Sequence, residues 1–135
     1  MHAEQGIKFK NVGWTLGEFC PMRCRHCYSR PVRQENKSGK WLDEGTVESI
    51  LDQLVGIGVQ TVNLGGNEPI FTFPAGVDKP LIRYSLLPHI IETAFDKGLR
   101  VGVTSAGPTI LGLKEFFPKT LSRINDIDIS LDSPC

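Results

Sequence analysis

The chain has no excess of one charge to offer a partner. Its 15 Lys and Arg residues balance 15 Asp and Glu, so no overall field draws it to nucleic acid, an anionic membrane or a strongly acidic protein. Long hydrophobic runs are missing too. No window reaches the ~18 apolar residues of a membrane span, and residues 1–10 include Glu4, Lys8 and Lys10 without the apolar stretch of a signal peptide. Together these absences lead to the expectation of a cytoplasmic protein with neither membrane nor nucleic acid as partner. Internal repeats and low-complexity tracts are absent as well, which sets aside repeat arrays and disordered linkers. Cysteine is scarce: of four, three fall between positions 20 and 27 and the fourth is the last residue. A secreted disulfide framework would spread them along the chain, whereas such crowding in a reducing compartment suggests ligands to a metal or a cluster.

With 135 residues, 40% of them hydrophobic, the chain can bury one core and form one domain. Short apolar strands alternate with amphipathic helices, the rhythm of parallel α/β units. A strand is expected at 11–16, running into the cysteine loop and a polar stretch at 29–40. Asp43, a good N-cap, opens a helix in which Val47, Ile50, Leu51, Leu54 and Val55 recur at helical spacing until Gly56 and Gly58. A buried strand is expected at 59–64, just before a glycine-rich turn. After a long loop, Ser85 and Pro88 open a second helix carrying Leu87, Ile90, Ile91, Ala94 and Phe95 as far as Gly98. A third strand is expected at 100–105, and Pro118 divides 109–123 into short helical pieces.

The last expected strand, 126–132, alternates. Ile127, Ile129 and Leu131 face one way, and Asp126, Asp128, Ser130 and Asp132 the other. A parallel sheet covered on both faces would be apolar on both. The polar side therefore fits the lumen of a barrel or half-barrel, or else an end strand with one face in water.

Cys20, Cys24 and Cys27 form a C-x3-C-x2-C cluster. Three thiolates can hold a four-iron four-sulfur cubane and leave its fourth iron without a protein ligand. On spacing alone zinc stays open, with His26 or Cys135 as the fourth ligand. Structural zinc usually takes paired ligands from two separated knuckles, however, and no second pair is present.

The run Cys20-Pro21-Met22-Arg23-Cys24-Arg25-His26-Cys27-Tyr28 resembles the signature of the radical S-adenosylmethionine (SAM) superfamily. His26 takes the place usually held by an aromatic residue. In that family the motif lies in the loop after the first strand of a (β/α)6 partial barrel, which is its place here. Gly65, Gly66, Asn67, Glu68 and Pro69 resemble the family's G-G-E-P motif at the end of the second strand. They depart from it at Asn67, which either replaces the second glycine or is inserted before Glu68. Thr104, Ser105, Ala106 and Gly107 resemble a T-N-G found at the end of the third strand, and Ser130 and Asp132 resemble residues that contact the SAM ribose. For these last two sets a plain strand-end role explains the residues equally well.

The resemblance implies a 4Fe-4S cluster on Cys20, Cys24 and Cys27, with SAM at its open iron. It implies a cofactor site that includes His26, Gly65, Gly66, Asn67, Glu68, Pro69, Ser105, Ser130 and Asp132, in which the Glu68 carboxylate accepts hydrogen bonds from the methionyl ammonium. The implied activity is reductive cleavage of SAM to a 5'-deoxyadenosyl radical that takes hydrogen from a substrate, with an electron donor such as flavodoxin or ferredoxin. No side chain is assigned as catalytic, because the cofactor breaks the bond. The cysteine spacing with G-G-N-E-P is similar to that of members that modify ribosomal peptides, which implies a peptide substrate. The family core has six β/α units and this chain offers four, so residues 1–135 are expected to be an incomplete radical SAM core cut after the fourth strand. The competing class is a non-catalytic module that binds zinc or an iron–sulfur cluster. Arg30, Arg33, Lys37 and Lys40 read as a solvated loop, Phe71 and Phe73 as pins to the core, and His89 as structural or exposed.

Overall fold

In the computed structural model, which describes residues 10–16, 42–74 and 81–130, the strands are β1 (Asn11–Thr15), β2 (Thr61–Gly65), β3 (Arg100–Ser105) and β4 (Asp126–Ile129). They form one parallel sheet in the order β1-β2-β3-β4. The helices are α1 (Glu44–Gly56), α2 (Leu87–Asp96), α3 (Pro108–Phe116) and α4 (Pro118–Leu121). The class is α/β, as expected. Because β-α-β crossovers are right-handed, a sheet that always grows in one direction collects its helices on one face.

Local chemistry sets the helix ends. Asp43 Oδ1 accepts a hydrogen bond from the amide of Thr46 at 2.7 Å, and that bond holds the Asp43 carboxyl below the ordinary carboxylate range. At the other end Gly58, with φ of +92°, lets the amide of Val59 donate back to the carbonyl of Leu54 at 3.0 Å. Pro118 separates α3 from α4, the division its missing N–H predicts. Two short 3-10 turns, Pro69–Phe71 and Ile82–Tyr84, fall where only loop was expected; three residues are too few to show a helical period.

Phe95 continues the apolar stripe of α2 yet is 42% exposed. Its ring carries the Arg123 guanidinium at 4.0 Å. Arg123 also pairs with Glu92 at 3.5 Å, and Thr120 of α4 donates to Glu92 at 3.1 Å. Phe95 therefore helps to fasten α4 and the turn after it onto α2, and contributes little to the core.

The register places Gly13, Asn63, Gly102 and Asp126 in one row and Trp14, Leu64, Val103 and Ile127 in the next. Neighbouring rows face opposite sides of the sheet. Val62, Leu64, Val101 and Val103 pack with Val47, Leu51, Leu87, Ile90 and Leu113 of the helices in one core. The opposite face presents Gly13, Thr15, Asn63, Thr104, Asp126 and Asp128. Gly102 is buried on this polar side because Asn63 lies over it; a Cβ there would come within 2.2 Å of Asn63 Oδ1. Strands β2 and β3 are thus apolar on one side only, and the polar side of β4 is one end of a surface shared by four strands. That continuity fits the lumen of a partial barrel better than an isolated wet strand. Ile127 and Ile129 on the other side of β4 are about half exposed. No helix among the described residues is long and apolar enough to cross a membrane.

Candidate cofactor site at the carboxyl edge of the sheet

Four parallel strands end on one edge, the edge where open α/β sheets bind ligands. The amide of Leu16 donates to the carbonyl of Gly65 at 3.3 Å. Leu16, four residues before Cys20, therefore lies beside the start of the glycine turn. On the far side the amide of Ser130 donates to the carbonyl of Ser105 at 2.8 Å. Cys20, Cys24, Cys27, His26 and Asp132 lie outside the described residues.

The turn after β2 is shaped by two demands. Gly66 has φ of +89°, and a Cβ at this position would sit 2.3 Å from Thr15 Cγ2. Only glycine combines that backbone with so close an approach to β1. Asn67 is buried and its Nδ2 donates to Thr72 Oγ1 at 3.3 Å. Pro69 opens the first 3-10 turn, and the amide of Phe71 donates to the carbonyl of Glu68 at 2.9 Å.

Glu68 is 5% exposed and surrounded by donors. Its Oε1 accepts the amide of Ala106 at 2.9 Å. Its Oε2 accepts the hydroxyl of Ser105, the amide of Thr109 at 3.0 Å and the hydroxyl of Thr109 at 2.5 Å. Gly107, the residue before α3, has no side chain with which to cap that helix, so the carboxylate reaches across from the β2 turn and takes the role. One side chain thereby joins the ends of β2 and β3 and the start of α3.

Ser105, expected in the cofactor site, is the last residue of β3. Strand alternation turns its side chain to the helix side with Val101 and Val103, where it is 2% exposed. Its hydroxyl donates to Glu68 and accepts the amide of Gly107 at 2.8 Å. Through that bond Ser105 is joined to the turn after β2. Thr109, missing from the expected site, is fully buried and accepts the amide of Ile70 at 3.0 Å while donating to Glu68. Phe71 packs partly buried against the core, as expected, and His89 lies between Glu48 at 3.8 Å and Thr93 at 3.4 Å on the outer helices.

A parallel sheet in the order β1-β2-β3-β4 with its helices on one face is the architecture of a β/α partial barrel. A family model described as the radical SAM superfamily matches residues 14–134, and the chain belongs to that superfamily. Two solved structures share the fold. The structure of Streptococcus suis SuiB bound to S-adenosylmethionine aligns with a TM-score of 0.57 at 15% identity, covering 93% of this chain and 25% of that one. The structure of BtrN in complex with AdoMet and 2-DOIA aligns with a TM-score of 0.54 at 10% identity, covering 90% of this chain and 57% of that one. The chain thus spans a quarter of the first protein and little more than half of the second. No curated protein matches it in sequence.

Proposed function

We propose that this chain forms the cofactor-binding part of a radical SAM enzyme. The observation that carries the reading is the meeting of two chain segments at one edge: Leu16, four residues before Cys20, bonds to Gly65, and the turn that follows Gly65 holds Glu68. Family membership supports it, as do neighbours of the same fold whose structures hold SAM. The donors fit. Three thiolates suit iron in a 4Fe-4S cluster, and a buried carboxylate beside a turn without bulky side chains suits a ligand with an ammonium group.

Cys20, Cys24 and Cys27 hold the cluster in this reading. Glu68 and the backbone of residues 65–69 take the methionyl end of SAM, and Ser130 and Asp132 take the ribose. When bound, the cluster and SAM supply reductive cleavage of the sulfonium and a 5'-deoxyadenosyl radical for hydrogen abstraction from a substrate. The chain's own share is to position SAM, keep water from it and offer the polar face to the substrate.

The test is anaerobic reconstitution of the chain. Roughly four irons and four sulfides per chain are expected, with a reduced-state electron paramagnetic resonance signal that changes when SAM is added. Cys24→Ala removes the cluster. A colourless protein carrying one zinc and no iron overturns the proposal, and so does a cluster whose signal ignores SAM.

A further inference from the structure

We infer that Thr109, which lies outside every motif of the sequence, is a positioning residue for the SAM ammonium. By holding Glu68 Oε2, it turns Oε1 into the acceptor for that group. The inference rests on the proposed placing of SAM at Glu68 and adds to it the residue that orients the carboxylate.

The two carboxylate oxygens are treated unequally. A carboxylate has about four lone-pair positions, two on each oxygen. Among the described residues Oε2 takes three donors, from Ser105 and twice from Thr109, whereas Oε1 takes one, from the amide of Ala106. By lone-pair count a further donor is accommodated at Oε1 and not at Oε2. The hydroxyl of Thr109 is itself constrained: it accepts the amide of Ile70 at 3.0 Å, which directs its single proton to Glu68. Thr109 is fully buried, so water does not compete for that proton. Without the hydroxyl, the oxygen on the α3 side keeps two donors against one on the other, and the carboxylate is less firmly held against tilting out of the plane that aims its other oxygen at the ammonium.

The reconstituted full chain is titrated with SAM and with the SAM analogue carrying hydrogen in place of the α-amino group, and binding is read by calorimetry. Thr109→Val is expected to weaken SAM about tenfold while changing the analogue less than about twofold, and Thr109→Ser to restore SAM to within about twofold of the parent. Equal loss for both ligands, or no loss for either, overturns the inference while leaving the proposed SAM site in place. A parent chain that holds its cluster and binds no SAM overturns the site itself, and the inference with it. Thr109→Val strands the amide of Ile70, so its folding is checked by thermal melting. If it does not fold, Ser105→Ala, which also removes one donor from Oε2, is measured against the same two ligands with the same criteria.

Discussion

Gly58 and Gly66 share a backbone handedness, with φ of +92° and +89°, and differ in what surrounds them. A Cβ at 58 meets nothing within 4 Å, whereas one at 66 meets Thr15 at 2.3 Å. A left-handed L residue costs about 1–2 kcal/mol, so Gly58→Ala isolates the backbone cost. Gly66→Ala adds the collision and is expected to lose at least about twice as much in urea unfolding; equal losses would mean that Thr15 gives way freely. Glu68→Gln places an amide NH2 group where at least one of its four donors now finds an oxygen. A loss of about 1–3 kcal/mol is expected from the stranded donor, seen as a lower melting temperature, and unchanged stability would refute the network. The sequence resemblance pointed to Glu68 but not to this role. Its partner Thr109 stands 41 residues away, and no spacing rule links a turn after one strand to the first turn of a helix after the next.

Helix ends obey rules local enough to read directly, and Asp43 is the plainest case. Its folded pKa lies below the ordinary value through its hydrogen bond to the Thr46 amide. A depressed acid stabilises the fold above its unfolded pKa, near ~3.9, and loses that contribution as pH falls through the folded value. Asp43→Asn keeps a capping oxygen that does not titrate. The difference in melting temperature between parent and variant should therefore be constant near neutrality and shrink below about pH 4. A difference independent of pH would remove the ionised cap from the account. Phe95 shows where element-level reading stops. Periodicity placed it in the stripe of α2, and its partner Arg123 comes from a segment whose docking depends on the whole chain.

Over the whole molecule the sheet has two unlike faces. Val62 and Asn63 are neighbours in sequence on opposite sides, one packed in the core and one on the polar surface. Val62→Asn is expected to cost about 3 kcal/mol or more, and Asn63→Ala to stay within about 0.5 kcal/mol, both read by chemical denaturation. Comparable losses would mean that both faces are packed. The strands, the helices with the local cap at Asp43, the cysteine triad and the glycine turn were set by the sequence itself, because periodicity, local capping and turn chemistry act over a few residues. Tertiary structure alone decided that the polar side runs across four strands, that Ser105 points toward the helices, and that Glu68 is held from β3 and α3. Those facts depend on register and crossover handedness, which bring together groups that lie 37 to 41 residues apart along the chain.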